Sequence, residues 1–264
     1  MQKEWSETEV IFLKDNYEKM SYRQIGEFLE RTQSSVENKA NKTGIKQEKK
    51  YKFNSSFFKA PLNEYSAYWV GFIAADGYIS KDYKSIGISL KKDEYEHLKM
   101  FNKHLEGNVP VDFRTRKPCI FAGKNIPERE QCSIRIYSKE IVCDLLVYGV
   151  TPRKSLTLEF PKIENTSLLW CYLRGYFDGD GSVYYDKNHN QLRTKITCGS
   201  PLFIESFRKF LNKFEIKTYV AGMDCGITGK KDTQIFLSNL YDNANVYLER
   251  KYKKYQNYKY LWLQ

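Results

Sequence analysis

Two stretches of the sequence share one device: a helix face of small residues followed by an aspartate and a glycine. The first reads GFIAADG and the second GYFDGDG, and their acids are Asp76 and Asp180. In each stretch small residues stand four positions apart, as the pairs Gly71/Ala75 and Gly175/Gly179. That spacing puts both members on one helix face and lets two helix backbones approach closely. Paired helices would then hold the two carboxylates side by side.

Two carboxylates held this close favour a bound divalent cation. Each negative charge raises the pKa of the other, so that one acid takes up a proton unless a cation neutralises the pair. No histidine or cysteine joins the set, and oxygen ligands suit Mg²⁺, with Mn²⁺ as its substitute, rather than zinc. The backbone carbonyls of Ala75 and Gly179 are further candidate ligands. The glycines that follow, Gly77 and Gly181, are expected to turn the chain sharply through positive φ.

The two motifs belong to a long internal repeat. Each copy predicts helix, two strands, helix, two strands and helix: Ile88/Leu90 and Ile196/Cys198 alternate as in strands, and the phenylalanines between 203 and 214 follow a helical spacing. Residues 132–150 and 233–252 are expected to repeat the last strand and helix. A repeat of this length used twice indicates a pseudo-twofold pair of α+β units rather than a solenoid.

Residues 4–46 predict a compact unit of three helices. Helix-start signals occur at Ser6, at Ser21 and at Thr32 or Ser34, and Gly44 closes the third helix. The inward residues are expected to be Leu13, Ile25, Phe28/Leu29, Val36 and Ala40. The stretch resembles a Myb-like helix-turn-helix module, which implies that the third helix enters the major groove of DNA. The candidate contacts on that helix are Gln33, Ser35, Asn38, Lys39 and Lys42. The alternative is a bundle whose third helix is merely polar.

The composition favours a polyanionic partner. Lysine and arginine number 43 against 32 acids, a formal charge of +11. The hydrophobic fraction of 41% can form a core, and no apolar run or leader predicts a membrane span or secretion. The six cysteines lack zinc spacing and are expected to be reduced thiols of a cytoplasmic or nucleoid-associated protein. The basic and aromatic residues 250–264 suit either a phosphate-rich surface or an amphipathic helix with solvated lysines.

The paired motifs resemble those that define LAGLIDADG homing endonucleases. The family pattern maps onto Trp69–Gly77 and Leu173–Gly181 and keeps its last acid in both. Its sixth position is Ala74 in the first motif and Asp178 in the second, and this position is expected to serve helix-end structure rather than metal binding. The resemblance covers about residues 61–258, and GVTPRKSLTLEFP (149–161) looks like the connector of single-chain members.

The resemblance implies a monomer that cuts both strands of a long double-stranded DNA target with divalent metal. Its fold would be α+β, with two pseudo-symmetric αββαββα repeats forming a DNA-binding saddle. The catalytic candidates are Asp76 and Asp180, and the family also places a basic residue at the end of the second strand of each half. That residue is Lys91 in the first half. The aligned position in the second half is Gly199, so Lys195 is predicted to substitute.

The strands of each half are expected to present polar side chains to the DNA. The candidates in the first half are Tyr78, Ser80, Lys81, Arg114, Arg116 and Arg135. Those in the second half are Tyr184, Asp186, Lys187, Arg193, Lys195, Lys230 and Lys231.

The predicted organisation is a helix-turn-helix domain (1–46), a basic linker (47–60), a first repeat (61–150) and a second repeat (151–264). Two other functions fit the same scaffold: a non-enzymatic DNA-binding regulator and an RNA intron maturase. The two intact acids favour the endonuclease over the regulator, whereas the sequence does not separate endonuclease from maturase.

Overall fold

The computed structural model of the chain describes residues 4–45, 51–121, 124–187, 189–227 and 229–259. It divides the chain into two compact units, Met1–Lys52 and Phe53–Gln264. Part of the stretch predicted as a linker packs into the second unit. Phe58 is fully buried there, and the backbone N–H of Asn54 donates to the Leu105 carbonyl at 2.7 Å.

The first unit consists of three short helices around a small apolar cluster. They are α1 (Glu7–Asn16), α2 (Tyr22–Phe28) and α3 (Gln33–Lys42). Ser6 and Ser21 form capping boxes and Thr32 caps α3, as predicted. The cluster holds Leu13, Ile25, Val36, Ala40 and Ile45. Of the predicted inward pair Phe28/Leu29, Leu29 packs against this cluster. The Phe28 side chain does not point inward: it is 65% exposed and stacks on Phe12, with ring centroids 4.3 Å apart.

The second unit contains the predicted repeat twice. The first copy comprises α4 (Glu64–Ala75), β1 (Gly77–Ile79), β2 (Ser85–Lys91), α5 (Tyr95–His104), β3 (Val111–Arg116), β4 (Cys119–Phe121), β5 (Lys124–Ile126), β6 (Arg129–Tyr137) and α6 (Lys139–Val147). Its antiparallel sheet has the order β1-β2-β6-β3. Strands β4 and β5, which follow β3 and precede β6 in the chain, pair with each other as a separate hairpin.

The second copy comprises α7 (Thr166–Asp180), β7 (Gly181–Asp186), β8 (Gln191–Thr197), α8 (Pro201–Asn212), β9 (Thr218–Ala221), β10 (Asp224–Ile227) and α9 (Lys230–Tyr241), followed by α10 (Glu249–Lys259). The sheet order, β7-β8-β10-β9, repeats that of the first copy. The prediction of an α+β fold with two αββαββα repeats is confirmed.

One detail of the predicted repeat is wrong. Residues 233–252 do not begin with a strand, because α9 covers Lys230–Tyr241 and the last strand of this copy is β10. Phe236, Leu237 and Leu240 are buried at helical spacing, so packing rather than the β-like composition of the stretch decides its structure. Lys230 and Lys231 therefore lie on the first turn of a helix.

Each sheet buries one face and exposes the other. In the first sheet Ile86, Ile88 and Ile134 point inward, and in the second Leu192 and Ile196 do so. Alternation along the strands leaves the opposite faces outward. Among the described residues, no helix is long and apolar enough to cross a membrane, and the cysteines whose side chains are described are all free thiols.

Candidate functional site

Helices α4 and α7 cross in direct backbone contact. A methyl group added to Gly71 would lie 1.9 Å from the carbonyl oxygen of Tyr172, and one added to Gly175 would lie 1.9 Å from that of Tyr68. No side chain fits at such a distance, so glycine is required at both crossing points. The small-residue faces predicted from the sequence therefore do pair.

The same contact brings the two motif acids together. A methyl group on Gly179 would lie 2.4 Å from the Cβ of Ala75 and 3.3 Å from a carboxylate oxygen of Asp76. Asp76 is the C-cap of α4, and Asp180 is the last residue of α7, one position after Gly179. The carboxyls thus lie at adjacent helix C-termini, where the helix dipoles disfavour negative charge.

Both carboxyls hold a proton more tightly than a free aspartate. Asp76 keeps an exposed edge, but the protein atoms packed around its carboxyl, and secondly the charge of Asp180, raise its pKa to about 6. Burial also raises the pKa of Asp180, against the opposing charges of Lys154 and Lys251. Among the described residues, neither carboxylate accepts a hydrogen bond or forms a direct ion pair. Their oxygens are accordingly available to an external ligand.

The glycines after the acids act differently from the prediction. Neither Gly77 nor Gly181 has positive φ, and Gly181 is extended with φ −90° and ψ 161°. Added methyl groups would lie 2.7 Å from the Ile73 side chain and 2.5 Å from the Phe177 carbonyl oxygen, respectively. Glycine is needed because each strand leaves its helix so closely that a side chain would strike the last turn.

A buried lysine from the connector reaches the end of the first motif helix. The Nζ of Lys154 donates to the carbonyl oxygen of Gly77 at 2.5 Å, and burial lowers the lysine pKa while the charges of Asp180 and Asp76 oppose that change. Arg153, directly before it, has φ +57°. The connector passes so close to Gly199 that a methyl group there would lie 2.5 Å from the Ser155 carbonyl oxygen.

A second buried lysine caps the other motif helix. The Nζ of Lys251 on α10 donates to the carbonyl oxygens of Phe177 (2.5 Å), Gly181 (2.6 Å) and Gly179 (3.3 Å). Burial lowers its pKa to about 8, against the charge of Asp178 foremost and those of the two motif acids. The Gly179 carbonyl, a predicted metal ligand, therefore already accepts a hydrogen bond from an ammonium group.

Sequence reasoning missed both lysines. Lys154 stands in a connector and Lys251 in a strongly basic run, and both contexts are typical of solvated side chains. The one available signal was positional: each lysine follows the last helix of its repeat within ten residues.

Asp178 has a structural environment, as expected for its position in the motif. It is fully buried and accepts hydrogen bonds from Tyr68 (2.8 Å), Tyr241 (2.6 Å) and the backbone N–H of Leu248 (2.7 Å). The Tyr68 hydroxyl also pairs with Nε2 of His97 at 3.0 Å. This network joins both repeats behind the acid pair.

The two lysines predicted as catalytic lie on the outward strand faces. Lys91 is exposed at the end of β2, opposite Gln131. Lys195 forms an ion pair with Asp224 and stands opposite Ser182. Neither is among the principal charges that act on Asp76 or Asp180, whereas Lys251 acts on both and Lys154 on Asp180. Catalytic roles for Lys91 and Lys195 stay predictions.

The first sheet collects several predicted DNA contacts on its outward face. Tyr78 packs over Gly87, and the Arg135 guanidinium lies 6.0 Å from the Tyr78 ring centroid. Arg114 and Arg116 share this face, opposite Gln131 and Arg129. Outside the strands, Ser80 accepts hydrogen bonds from the backbone of the β1–β2 turn, and Lys81 is exposed there.

The second sheet groups its candidates in the same way. Tyr184 and Arg193 are opposite each other in register, and Arg193 forms an ion pair with Asp186 at 2.6 Å. Lys187 is exposed at the end of β7, whereas Lys230 and Lys231 are exposed on α9 and do not belong to the strand face.

Helix α3 of the first unit presents the other candidates. Gln33, Asn38 and Lys42 are exposed, and Ser35 and Lys39 are half-buried. Gln33 donates to Glu37 at 2.6 Å, and the Lys39 ammonium lies 5.9 Å from the Trp5 ring centroid. In the C-terminal run, Lys251 is buried and Lys259 pairs with Asp242, so these two lysines bind protein groups.

The donor set at the two helix ends fits a hard divalent cation. The ligands would be the carboxylates of Asp76 and Asp180, whose pKa values are raised chiefly by burial and which have no direct cationic partner among the described residues. The described part of the chain contains no cluster of three or more histidine, cysteine or acidic residues that could hold a metal ion, so the two carboxylates would bind it together with ligands from outside this set.

Comparisons with known proteins show similarity in sequence for part of the chain and in fold for most of it. Residues 169–251 match the model of the LAGLIDADG-like domain. The homing endonuclease I-WcaI bound to its DNA recognition sequence is similar in fold, with a TM-score of 0.50 at 16% identity over 76% of this chain and 90% of that one. The meganuclease I-SmaMI bound to uncleaveable DNA gives a TM-score of 0.45 at 16% identity, covering 74% of this chain and 89% of that one.

Full-length DUF199/WhiA from Thermatoga maritima is also similar, with a TM-score of 0.47 at 18% identity over 78% of this chain. The present chain spans 65% of the length of that protein. No curated protein sequence matches the chain. Residues 169–251 are thus similar to the LAGLIDADG-like domain, and the second unit is similar in fold to the homing endonuclease I-WcaI.

Proposed function

We propose that the protein is an endonuclease that hydrolyses both strands of a long double-stranded DNA target with Mg²⁺, or with Mn²⁺ in its place. The observation that carries the proposal is the pair of carboxylates at the crossing of α4 and α7. Asp76 and Asp180 would bind the metal. The backbone carbonyls of Ala75 and Gly179 are further candidate ligands, of which that of Gly179 also accepts a hydrogen bond from Lys251. A bound divalent cation activates water and stabilises the leaving oxygen of a phosphodiester.

The residues of the chain itself account for the remaining chemistry. Lys154 and Lys251 place positive charge at the ends of both motif helices, where a scissile phosphate accumulates negative charge in the transition state. The Asp178 network holds the end of α7 by its two tyrosine partners. Lys91, on its strand face, is better placed to bind the DNA backbone than to reach the acids, whereas Lys195 is paired with Asp224.

We assign the first unit to DNA binding as a Myb-like helix-turn-helix module. Its third helix would add affinity and reach to a target bound by the two repeats. The single chain already holds both motifs, so a monomer suffices for a complete site. For a protein that acts on DNA we propose a cytoplasmic or nucleoid-associated location.

The test replaces Asp180 by Asn. We expect Asp180→Asn to abolish cleavage of both strands while DNA affinity stays equal or rises, because asparagine keeps the shape and removes the metal-binding charge. The assay uses supercoiled plasmid that carries a site selected in vitro, with Mg²⁺ titrated and duplex binding measured in parallel. Asp15→Asn, an exposed change on α1, is the matched control. A mutant that linearises plasmid at the wild-type rate would refute the assignment.

One observation favours a second function, a DNA-binding protein that does not cut. The positive charges of Lys154 and Lys251 offset part of the negative charge of Asp76 and Asp180 even without a metal. The same assay separates the two functions. A wild-type protein that binds its selected duplex and cuts neither strand with Mg²⁺ or Mn²⁺ would support the second one.

A further inference from the structure

The outward faces of the two sheets occupy equivalent positions in the repeats but differ in charge. The strand residues on the first face include five basic side chains and one acid: Lys91, Arg114, Arg116, Arg129, Arg135 and Asp112. Among the described residues, none of these five cations forms an ion pair. The second face carries two cations and two acids, Arg193, Lys195, Asp186 and Asp224, and each cation is paired with an acid.

One cation of the first face bonds within the sheet, since Nε of Arg135 donates to the Ser85 hydroxyl at 3.2 Å. The side chains of the other four form no hydrogen bond or ion pair in the part of the chain that the structure describes. Arg116 and Arg129 are directly opposite each other in register, and like charges in that position destabilise a sheet. Arg114 stands opposite Gln131, and Lys91 continues the same row. A row of unpaired cations that costs stability fits a polyanion that neutralises it.

Further hydrogen bonds to both acids support the ion pairs of the second face. Asp186 accepts from Nε of Arg193 at 2.6 Å and pairs with His189 at 2.9 Å. The hydrogen bond from Arg193 lowers the pKa of Asp186 to about 2. Asp224 accepts from Lys195 and, at 2.7 Å, from the Thr197 hydroxyl, and the bond from Lys195 lowers its pKa. Both acids stay charged at neutral pH and hold their cations.

The two faces also differ in length. The longest strand of the first sheet, β6, has nine residues, and that of the second sheet, β8, has seven. At about 3.4 Å per residue these strands span roughly 30 Å and 24 Å. The first face can follow a duplex over a longer distance.

We infer that the first sheet supplies most of the electrostatic affinity for duplex DNA. Asp186 and Asp224 reduce the contribution of the second sheet to this affinity, because they keep its two cations in internal ion pairs. This inference rests on the proposed DNA-binding function. One half of the DNA target would then be bound through many phosphates and the other half through few. Removing the two acids would free Arg193 and Lys195 for the backbone.

The test measures binding of a random-sequence duplex as a function of salt, by fluorescence anisotropy in EDTA. Cleavage plays no part in this measurement, and the full chain is used. Arg114→Ala with Arg116→Ala should flatten the log–log salt slope by about 1.8 and lower affinity at least tenfold near about 0.1 M salt, since each lost phosphate contact contributes about 0.9. Asp186→Asn with Asp224→Asn should steepen the slope by up to about 1.8 and raise affinity several-fold.

The matched control is Lys99→Ala with Lys209→Ala, which removes two positive charges from exposed helix faces. Circular dichroism melts establish that each variant is folded. Equal slopes in both double mutants and the control would overturn the inference while leaving DNA binding intact. A wild-type protein that binds no duplex would instead remove the proposed function, and stronger binding of an RNA duplex of equal length would assign the first face to RNA.

Discussion

Replacing Gly175 by Ala tests how the helix crossing controls the acid pair. The added methyl carbon would lie 1.9 Å from the carbonyl oxygen of Tyr68, and contacts below 3.0 Å essentially never occur. The two backbones must therefore separate by at least about 1.1 Å, because neither can move aside as a flexible side chain would. Overpacking of this kind costs about 1–3 kcal/mol of folding stability.

The separation also shifts Asp180 relative to Asp76. A displacement of about 1 Å in a catalytic group lowers rates on the order of 100-fold. We therefore expect Gly175→Ala to lower the single-turnover cleavage rate by about two orders of magnitude while duplex binding changes little. Urea unfolding measures the stability, and a cleavage time course at saturating DNA measures the rate.

Gly222→Ala is the control, because the added methyl group would meet no atom within 4 Å. Its φ of +61° makes alanine cost stability on the order of 1 kcal/mol without displacing the acids. We expect this variant to cleave at the wild-type rate. If Gly175→Ala cut as fast as wild type, the close helix crossing would not be what positions the carboxylates.

Three further predictions address the lysines, the buried network and the first unit. Lys154→Met should slow cleavage at least about tenfold more than Lys91→Ala, because only Lys154 lies at a motif helix end; single-turnover rates in the reverse order would return Lys91 to the chemistry. Burial lowers the pKa of His97 to about 3 from 6.5, so the folded protein keeps it neutral while the unfolded chain takes up a proton. The contribution of neutral His97 to the free energy of unfolding is therefore fully present above pH 6.5. It decreases by about 1.4 kcal/mol per pH unit as the pH falls toward 3. Urea unfolding at several pH values should give a flatter profile for His97→Gln, and identical profiles would contradict the burial argument. Removing residues 1–52 should weaken DNA binding and leave the cleavage position unchanged, whereas a shifted cut on a sequencing gel would show that the first unit sets the register.

Much of the second unit follows from local pattern. The spacing of Gly71 and Gly175 predicts the helix crossing because close approach needs small residues on one face, and the alternating strands predict the sheets. The sequence does not reveal that Gly77 and Gly181 serve contact rather than turning, since both requirements select glycine. The position of Lys154 could not be predicted from local pattern for another reason: it depends on a contact with Gly77, which is far away in the sequence.

The connector between the repeats is a working part of the proposed site and not a spacer. It passes over Gly199 at Ser155 and delivers Lys154 to the end of the first motif helix. New chain termini opened near residue 154 would release that charge even if both repeats stayed folded. A break opened instead at Gly222, where an added methyl group would meet no atom within 4 Å, leaves the connector intact. Two fragments of the chain are therefore expected to recombine into an active protein only when the break leaves the connector intact.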